Sequence, residues 1–288
     1  MSSINRRHFV LGLPLLATAF AAPRARAASS SLADIERQHG GRLGVLALDT
    51  GSERTLAWRA DERFLMCSTF KGLLAGQILA RVDSGHEQLD RMVPYTEQDL
   101  LFTSPVTRAN VARGALPVRT LLQAILEQSD NTAAVLLMRG AGGPSGLTEF
   151  MRELGDDVTR SDRYEPESNR AEGVLDTTSP RAMVTTAQKL LLGDALSTSS
   201  RDILEDGMAN CIPGLGRLRA VLPDGWDAAD RPGTNVENET NDYLLARPAE
   251  RAPLLIAAYY DAPGKPADER EAVLREVGRS FVQWSAGT

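Results

Sequence analysis

Histidine, cysteine and lysine are all scarce in this 288-residue chain, and the first two scarcities close off a class of chemistry. Three histidines and two cysteines cannot build the common zinc clusters, and His8 lies in a segment that reads as a leader, leaving only His39 and His86. Metal-dependent hydrolysis is disfavoured, and no metal or cofactor is expected. Positive charge is also short: the formal charge is −6, and without residues 1–27 the chain keeps 28 basic against 38 acidic residues, or −10. Nothing in that balance attracts nucleic acid. Internal repeats, low-complexity linkers and a second apolar run of transmembrane length are all missing, so no membrane span is expected in the mature chain. What remains, 42% apolar and 24% charged residues, is the composition of an ordinary soluble globule of one or two closely packed domains.

The N-terminus carries Arg6-Arg7, an apolar run from Leu11 to Ala22, and Ala25-Arg26-Ala27. Paired arginines before a moderately hydrophobic core and a small-residue cleavage site predict a twin-arginine export signal over 1–27, and hence a periplasmic protein. The run is too short to span a bilayer and lacks the polar face of an anchor helix.

Along the mature chain, Leu32 to His39 predicts a short helix. The runs Arg42–Asp49 and Thr55–Arg59 around Gly51-Ser52 predict a hairpin. Between Thr69 and about Cys211 the apolar positions recur at three and four, as in Leu73, Leu74, Ile78 and Leu79, and predict helices. Strand-like runs return at Trp226–Asp230, Tyr243–Arg247 and Leu254–Tyr260, and Asp268–Trp284 reads as an amphipathic helix. Strands at both ends of a helical middle predict an α/β (α+β) fold: one antiparallel sheet from both chain ends, flanked by helices, with an inserted all-helical lobe. The sheet lobe is expected over about 28–62 and 212–288, the helical lobe over about 63–211, and the functional site in the cleft between them.

Lysine occurs only at 71, 189 and 265 among 32 basic residues, which makes its placement informative. Lys71 follows Ser68 by three residues at the start of the strongest apolar helix, so the two side chains share a face. A desolvated ammonium there can give up its proton and take one from the hydroxyl, leaving a nucleophilic alkoxide; arginine could not. Alone, the tetrapeptide reads as well as a capping serine followed by a surface lysine. Three further elements follow it. Gln128-Ser-Asp-Asn131 offers a hydroxyl, a carboxylate and a carboxamide; the polar stretch Arg160–Asn169 holds Glu165 before Pro166; and Asp230-Arg-Pro-Gly-Thr-Asn235 ends a strand with a glycine that permits close approach.

In this order the elements resemble the class A serine β-lactamases, whose pattern is Ser-x-x-Lys, Ser-Asp-Asn and Lys-Thr-Gly. The resemblance covers nearly the whole mature chain and includes Ser104-Pro-Val-Thr107, Glu165-Pro-Glu-Ser-Asn169 and Asp176–Met183. It implies that Ser68 attacks the lactam carbonyl with Lys71 assisting, in an oxyanion hole made by the backbone N–H groups of Ser68 and Thr234. Ser129 would protonate the departing nitrogen, and Asn131 would bind the substrate amide. Glu165, with Asn169, would activate the water that releases the acyl group; whether Glu165 or Lys71 is the acylation base stays open. Asp130 is expected to hold its loop, Arg163 and Asp176 to pin the loop carrying Glu165, and Arg217 to meet the substrate carboxylate. Gly233 and Thr103 would line the cleft.

Three departures stand out. Arg231-Pro232-Gly233 replaces the lysine-threonine-glycine pattern, with Arg231 expected to keep the carboxylate contact and Pro232 deleting a hydroxyl and a backbone donor. Thr103 stands where an aromatic usually flanks the cleft, with Phe102 adjacent. Cys67 precedes the nucleophile, as in carbapenem-hydrolysing members that bridge it to a later cysteine, but Asn235 occupies that later region, and Cys67 and Cys211 are expected to be buried free thiols. The function implied is hydrolysis of β-lactam antibiotics by a monomer. A penicillin-binding D-Ala-D-Ala peptidase, which would lack Glu165, and a non-hydrolytic lactam binder are the alternatives.

Overall fold

The computed structural model describes residues 22–287, with side chains from Ser31 onward. The paired arginines and most of the apolar run of the expected leader lie outside the described residues. Helix α1 spans Ala22–His39, longer than expected from sequence and continuous across the predicted cleavage boundary at Ala27. It is followed by β1 (Arg42–Asp49), β2 (Thr55–Trp58), β3 (Phe64–Leu65), α2 (Phe70–Asp83), β4 (Met92–Pro94), α3 (Pro105–Ala109) and β5 (Ala115–Pro117). Next come α4 (Val118–Glu127), α5 (Asn131–Gly140), α6 (Gly143–Glu153), β6 (Thr177–Thr178), α7 (Pro180–Leu191) and α8 (Thr198–Ala209). The chain closes with β7 (Asp227–Thr234), β8 (Glu239–Arg247), β9 (Leu254–Asp261) and α9 (Ala267–Ser285).

Both chain ends build one five-stranded antiparallel sheet in the order β2-β1-β9-β8-β7. Side chains alternate across it with period two. Leu43, Val45 and Ala47 of β1, Leu244 and Ala246 of β8, and Leu254, Ile256 and Ala258 of β9 face α1 and α9, where they pack on Val273, Leu274, Val277 and Phe281. The intervening Leu46, Tyr243, Leu245, Leu255, Ala257 and Tyr259 face the inserted helices and join a second core with Leu73, Leu74 and Met183. The inserted segment is not purely helical: β3 pairs with β6, and β4 with β5, as two short ribbons that tie loops to the helices. Among the described residues no helix is long and apolar enough to cross a membrane.

Strand β7 runs four residues past the Asp230 end expected from sequence and carries Arg231, Pro232, Gly233 and Thr234 along the sheet's edge. Asn235 N–H donates to Glu239 O at 3.2 Å, so by alternation the backbone nitrogens of Thr234 and Pro232 face away from β8. Pro232 therefore removes a donor from the outer edge and none from the ladder, which is where a strand tolerates proline.

Candidate active site

The nucleophile candidate sits where a one-turn 3-10 helix, Cys67–Thr69, runs into α2. Cys67 is held at φ 47°, a left-handed backbone that a non-glycine residue rarely adopts, and it turns the chain sharply before Ser68. One turn on, Lys71 is completely buried. Its Nζ lies 3.1 Å from Ser68 Oγ, 3.1 Å from Ser129 Oγ, 2.8 Å from Ser129 O and 2.5 Å from Asn131 Oδ1. Glu165 Oε1 is 3.6 Å away on another side. Burial pulls the ammonium pKa down to about 8, and Arg231 adds to the fall; the Glu165 carboxylate opposes it.

Glu165 is itself buried, which raises its carboxyl pKa, with Lys71 opposing. Asn169 Nδ2 donates to Glu165 Oε2, whereas Glu165 Oε1 accepts no hydrogen bond from the described residues and keeps its lone pairs for an incoming donor. Since Lys71 Nζ is within 3.1 Å of Ser68 Oγ and 3.6 Å of Glu165 Oε1, no more than the sum of those distances separates hydroxyl from carboxylate. Both groups thus lie within reach of the same ammonium nitrogen. The Glu165-Pro166 peptide is cis.

The loop bearing Glu165 is anchored by Asp176. That carboxylate accepts the N–H groups of Asp162 at 2.7 Å and Arg163 at 3.0 Å and pairs with Arg163 Nε at 2.7 Å. The carbonyl of Asp176 takes Met66 N–H at 3.0 Å, coupling the loop to the chain just before the nucleophile. Asp130 does the same for the second hydroxyl: it caps α5 through Ala133 N–H at 2.9 Å and accepts Val106 N–H at 3.0 Å and Thr107 N–H at 2.9 Å. Ser129, at φ 57°, is strained into place before it. Asn131 donates to Phe102 O at 3.1 Å, leaving one amide hydrogen for a ligand, and its N–H bonds Thr103 O at 2.9 Å.

On the opposite wall Gly233 is indispensable. A Cβ there would stand 2.7 Å from Met66 O and 2.9 Å from the nitrogens of Ser68 and Thr69. This contact brings the outward-facing Thr234 N–H beside Ser68 N–H, two donors able to hold an oxyanion.

Of the eleven residues expected from sequence to catalyse or to contact substrate, nine line one cleft of about 780 Å³: Ser68, Thr103, Ser129, Asn131, Asn169, Arg217, Arg231, Gly233 and Thr234. Lys71 and Glu165 lie beneath its floor. Arg231 lines the base of the cleft. It is fully buried, and four of its five N–H donors go to Ser68 O at 3.3 Å, Leu126 O at 2.7 Å, Cys211 Sγ at 3.1 Å and Pro232 O at 3.1 Å, so its charge acts on the site from below. Arg217 is likewise committed, to Gly233 O at 3.0 Å, Asn241 O at 2.8 Å, Glu271 at 3.0 Å and the Thr234 hydroxyl. Because Arg217 donates to Thr234 Oγ1, that hydroxyl keeps its own proton to give to another acceptor. Cys67 and Cys211 are buried free thiols, and burial pushes both pKa values up, that of Cys211 to about 11. Sequence reasoning missed Glu271, which orients Arg217 from α9, and Phe102 stands 88% exposed at the mouth beside Thr103.

Comparison with known proteins agrees with this geometry. The sequence model of the Beta-lactamase enzyme family matches residues 27–285. Among characterised relatives, the carbapenem-hydrolyzing beta-lactamase KPC of Klebsiella oxytoca is 41% identical over 87% of this chain and 86% of its own. Beta-lactamase L2 of Stenotrophomonas maltophilia is 42% identical over 93% and 92%. Among solved structures, a beta lactamase from Burkholderia vietnamiensis superposes with a TM-score of 0.90 at 69% identity, covering 91% of this chain and 97% of that one. An ancestral class A beta-lactamase of Gram-negative bacteria gives 0.87 at 48% identity, covering 89% and 99%. A match across nearly the whole chain, together with the serine, lysine, second serine and loop glutamate gathered around one cleft, places this protein in the β-lactamase enzyme family, in its class A serine branch.

Proposed function

We propose that the chain opens β-lactam rings by acylating Ser68 and then hydrolyses the acyl-enzyme with a water activated by Glu165, conferring resistance to β-lactam antibiotics. The cleft between the sheet portion, about 28–62 and 212–288, and the inserted portion, about 63–211, receives the substrate. The single observation that carries the reading is the position of Lys71 Nζ, within 3.1 Å of both serine hydroxyls and 3.6 Å of the Glu165 carboxylate.

In the first half-reaction the Ser68 Oγ proton passes to the neutral amine of Lys71, among the described residues the one side-chain base in hydrogen-bond contact with it, while Oγ bonds to the lactam carbonyl carbon. The carbonyl oxygen becomes an oxyanion at the Ser68 and Thr234 N–H groups. When the C–N bond breaks, Ser129 gives its proton to the departing nitrogen and takes one from Lys71, 3.1 Å away. In the second half-reaction Glu165 takes a proton from water as the oxygen attacks the ester carbon; when the C–Oγ bond breaks, that proton is returned through Lys71, which lies between the two, to Ser68 Oγ, and Glu165 is again a carboxylate. Lys71, at about 8, is close enough to neutral pH to take part as a base in acylation. The substrate carboxylate meets the Thr234 hydroxyl, polarised by Arg217 behind it.

Glu165 supports this reading over a D-Ala-D-Ala peptidase, because a site without the second base would stay acylated. Nitrocefin hydrolysis by Glu165→Gln tests it: turnover should fall by about 10²–10⁴ while the colour burst of acylation persists. Unchanged turnover would refute the assignment. The enzyme acts as a monomer in the periplasm after twin-arginine export. Replacing Arg6 and Arg7 by lysine should retain it in the cytoplasm in a fractionation assay.

A further inference from the structure

We infer that Asn235 is a positioning residue for deacylation: from the β7–β8 turn, its amide clamps the main chain of Asn169 and so steadies the Asn169–Glu165 pair. The inference rests on the reading of Glu165 given above.

Asn235 is buried and immediately follows Thr234. Its two amide ends do different work. Oδ1 closes the turn by accepting the N–H groups of Glu237 at 3.1 Å, Asn238 at 2.9 Å and Glu239 at 2.9 Å. Nδ2 donates both across the turn, to the Glu239 carboxylate, and out of it, to Asn169 O at 3.0 Å. Behind it, the buried Arg270 donates Nη2 to Asn235 O at 3.1 Å, while its Nε and Nη1 have no hydrogen-bond partner among the described residues. Asn235 is thus fixed from α9 and from its own turn before it reaches across to the loop.

Among the described residues, the bond to Asn169 O is the one hydrogen bond joining the hairpin 227–247 to the loop 160–176. It lands on a residue with a second duty, since the Asn169 side chain donates to Glu165. The acylation groups do not pass through this link. Lys71 is set by Ser129 and Asn131, and Ser129 by the loop that Asp130 holds. Loosening Asn169 should therefore misplace the second base and spare the first half-reaction. In a two-step acyl mechanism, slowing only the second step lowers kcat and KM together and leaves kcat/KM unchanged, a split that general destabilisation does not produce.

Asn235→Asp keeps the oxygen that closes the turn but sets an acceptor against Asn169 O and the Glu239 carboxylate. With nitrocefin we expect kcat to fall about tenfold, as for loss of one good hydrogen bond. KM should fall in proportion, kcat/KM should hold, and intact-mass spectra at steady state should show accumulated acyl-enzyme. Combining Asn235→Asp with Glu239→Gln restores a bond across the hairpin without restoring the donor to Asn169, so thermal stability should recover while deacylation stays slow. Should Asn235→Asp not fold, Asn235→Ser, too short to reach Asn169, gives the same measurement. Wild-type kcat in these variants, a fall in kcat/KM with no accumulated adduct, or rescue of deacylation by Glu239→Gln overturns the inference. If Glu165→Gln traps acyl-enzyme and Asn235→Asp does not, only the clamp fails; if Glu165→Gln turns over normally, the reading beneath it fails.

Discussion

The two faces of the five-stranded sheet are made by alternate residues of the same strands, yet they bury very different groups. Against α1 and α9 the central strands β1, β9 and β8 present Leu43, Val45, Leu244, Ala246, Leu254 and Ile256, all dry and apolar. Against the inserted helices the pattern starts the same way, with Leu46, Tyr259 and Leu245, but at the edge strand it gives way to Arg231 and Gly233 pressed on the turn that bears Ser68. One face supplies the stability, about 1.5–3 kcal/mol for each large side chain fully buried. The other uses it to keep a lysine and a glutamate out of bulk water beneath two cleft-lining serines, where each unpaired charge would be costly.

Substitutions should separate the two. The largest effect belongs to the inner face: Lys71→Ala removes the atom shared by both hydroxyls, and nitrocefin kcat/KM should fall by about 10²–10⁴ with little change in melting temperature. A melting temperature lowered as much as activity would break the comparison. On the outer face, Phe281→Ala should do the reverse. It deletes a fully buried ring that packs on Trp284, and urea unfolding should show a loss of about 3–5 kcal/mol while kcat/KM per folded molecule is unchanged.

The smallest effect sharpens the contrast at a place where the outer face is not apolar. Asp242 is fully buried with neither carboxylate oxygen hydrogen-bonded by the described residues, and Asp230 lies on the same face of the adjacent strand. Burial pushes Asp242 well above the usual carboxylate range and Asp230 up to about 6; Arg219, Arg231 and Arg217 oppose both shifts, and Arg219 pairs directly with Asp230. A folded-state pKa above the unfolded value of 3.8 means that the folded form holds its proton more tightly. For Asp230 the associated stability is complete below that value and is lost as pH rises through about 6; Asp242 acts with the same sign, its loss beginning above 3.8. Asp242→Asn should therefore raise the melting temperature at pH 7 and flatten its fall between pH 4 and pH 7, read by calorimetry.

The dry face was readable in advance because alternation and three-to-four spacing are local signals, as in Arg42–Asp49 and Leu73–Leu79. Ser68 and Lys71 were readable for the same reason, since i and i+3 meet on any helix. Arg231 was not. Its direction depends on which strand forms the edge and which face of that strand meets α2, and neither is encoded nearby. Pro232 looked damaging for the same reason and proves benign to the ladder because its nitrogen points out of the sheet. Glu271 and Asn235 gave no warning, because they meet Arg217 and Asn169 across separations of 54 and 66 residues.

The most direct test is intact-mass and peptide mapping of Glu165→Gln after brief mixing with a penicillin. An adduct with the full mass of the drug, carried on the peptide containing Ser68 and persisting while the wild-type enzyme has cleared it, is the expected result. No adduct, an adduct elsewhere, or one released at the wild-type rate would contradict the division of labour between the buried serine and the loop carboxylate.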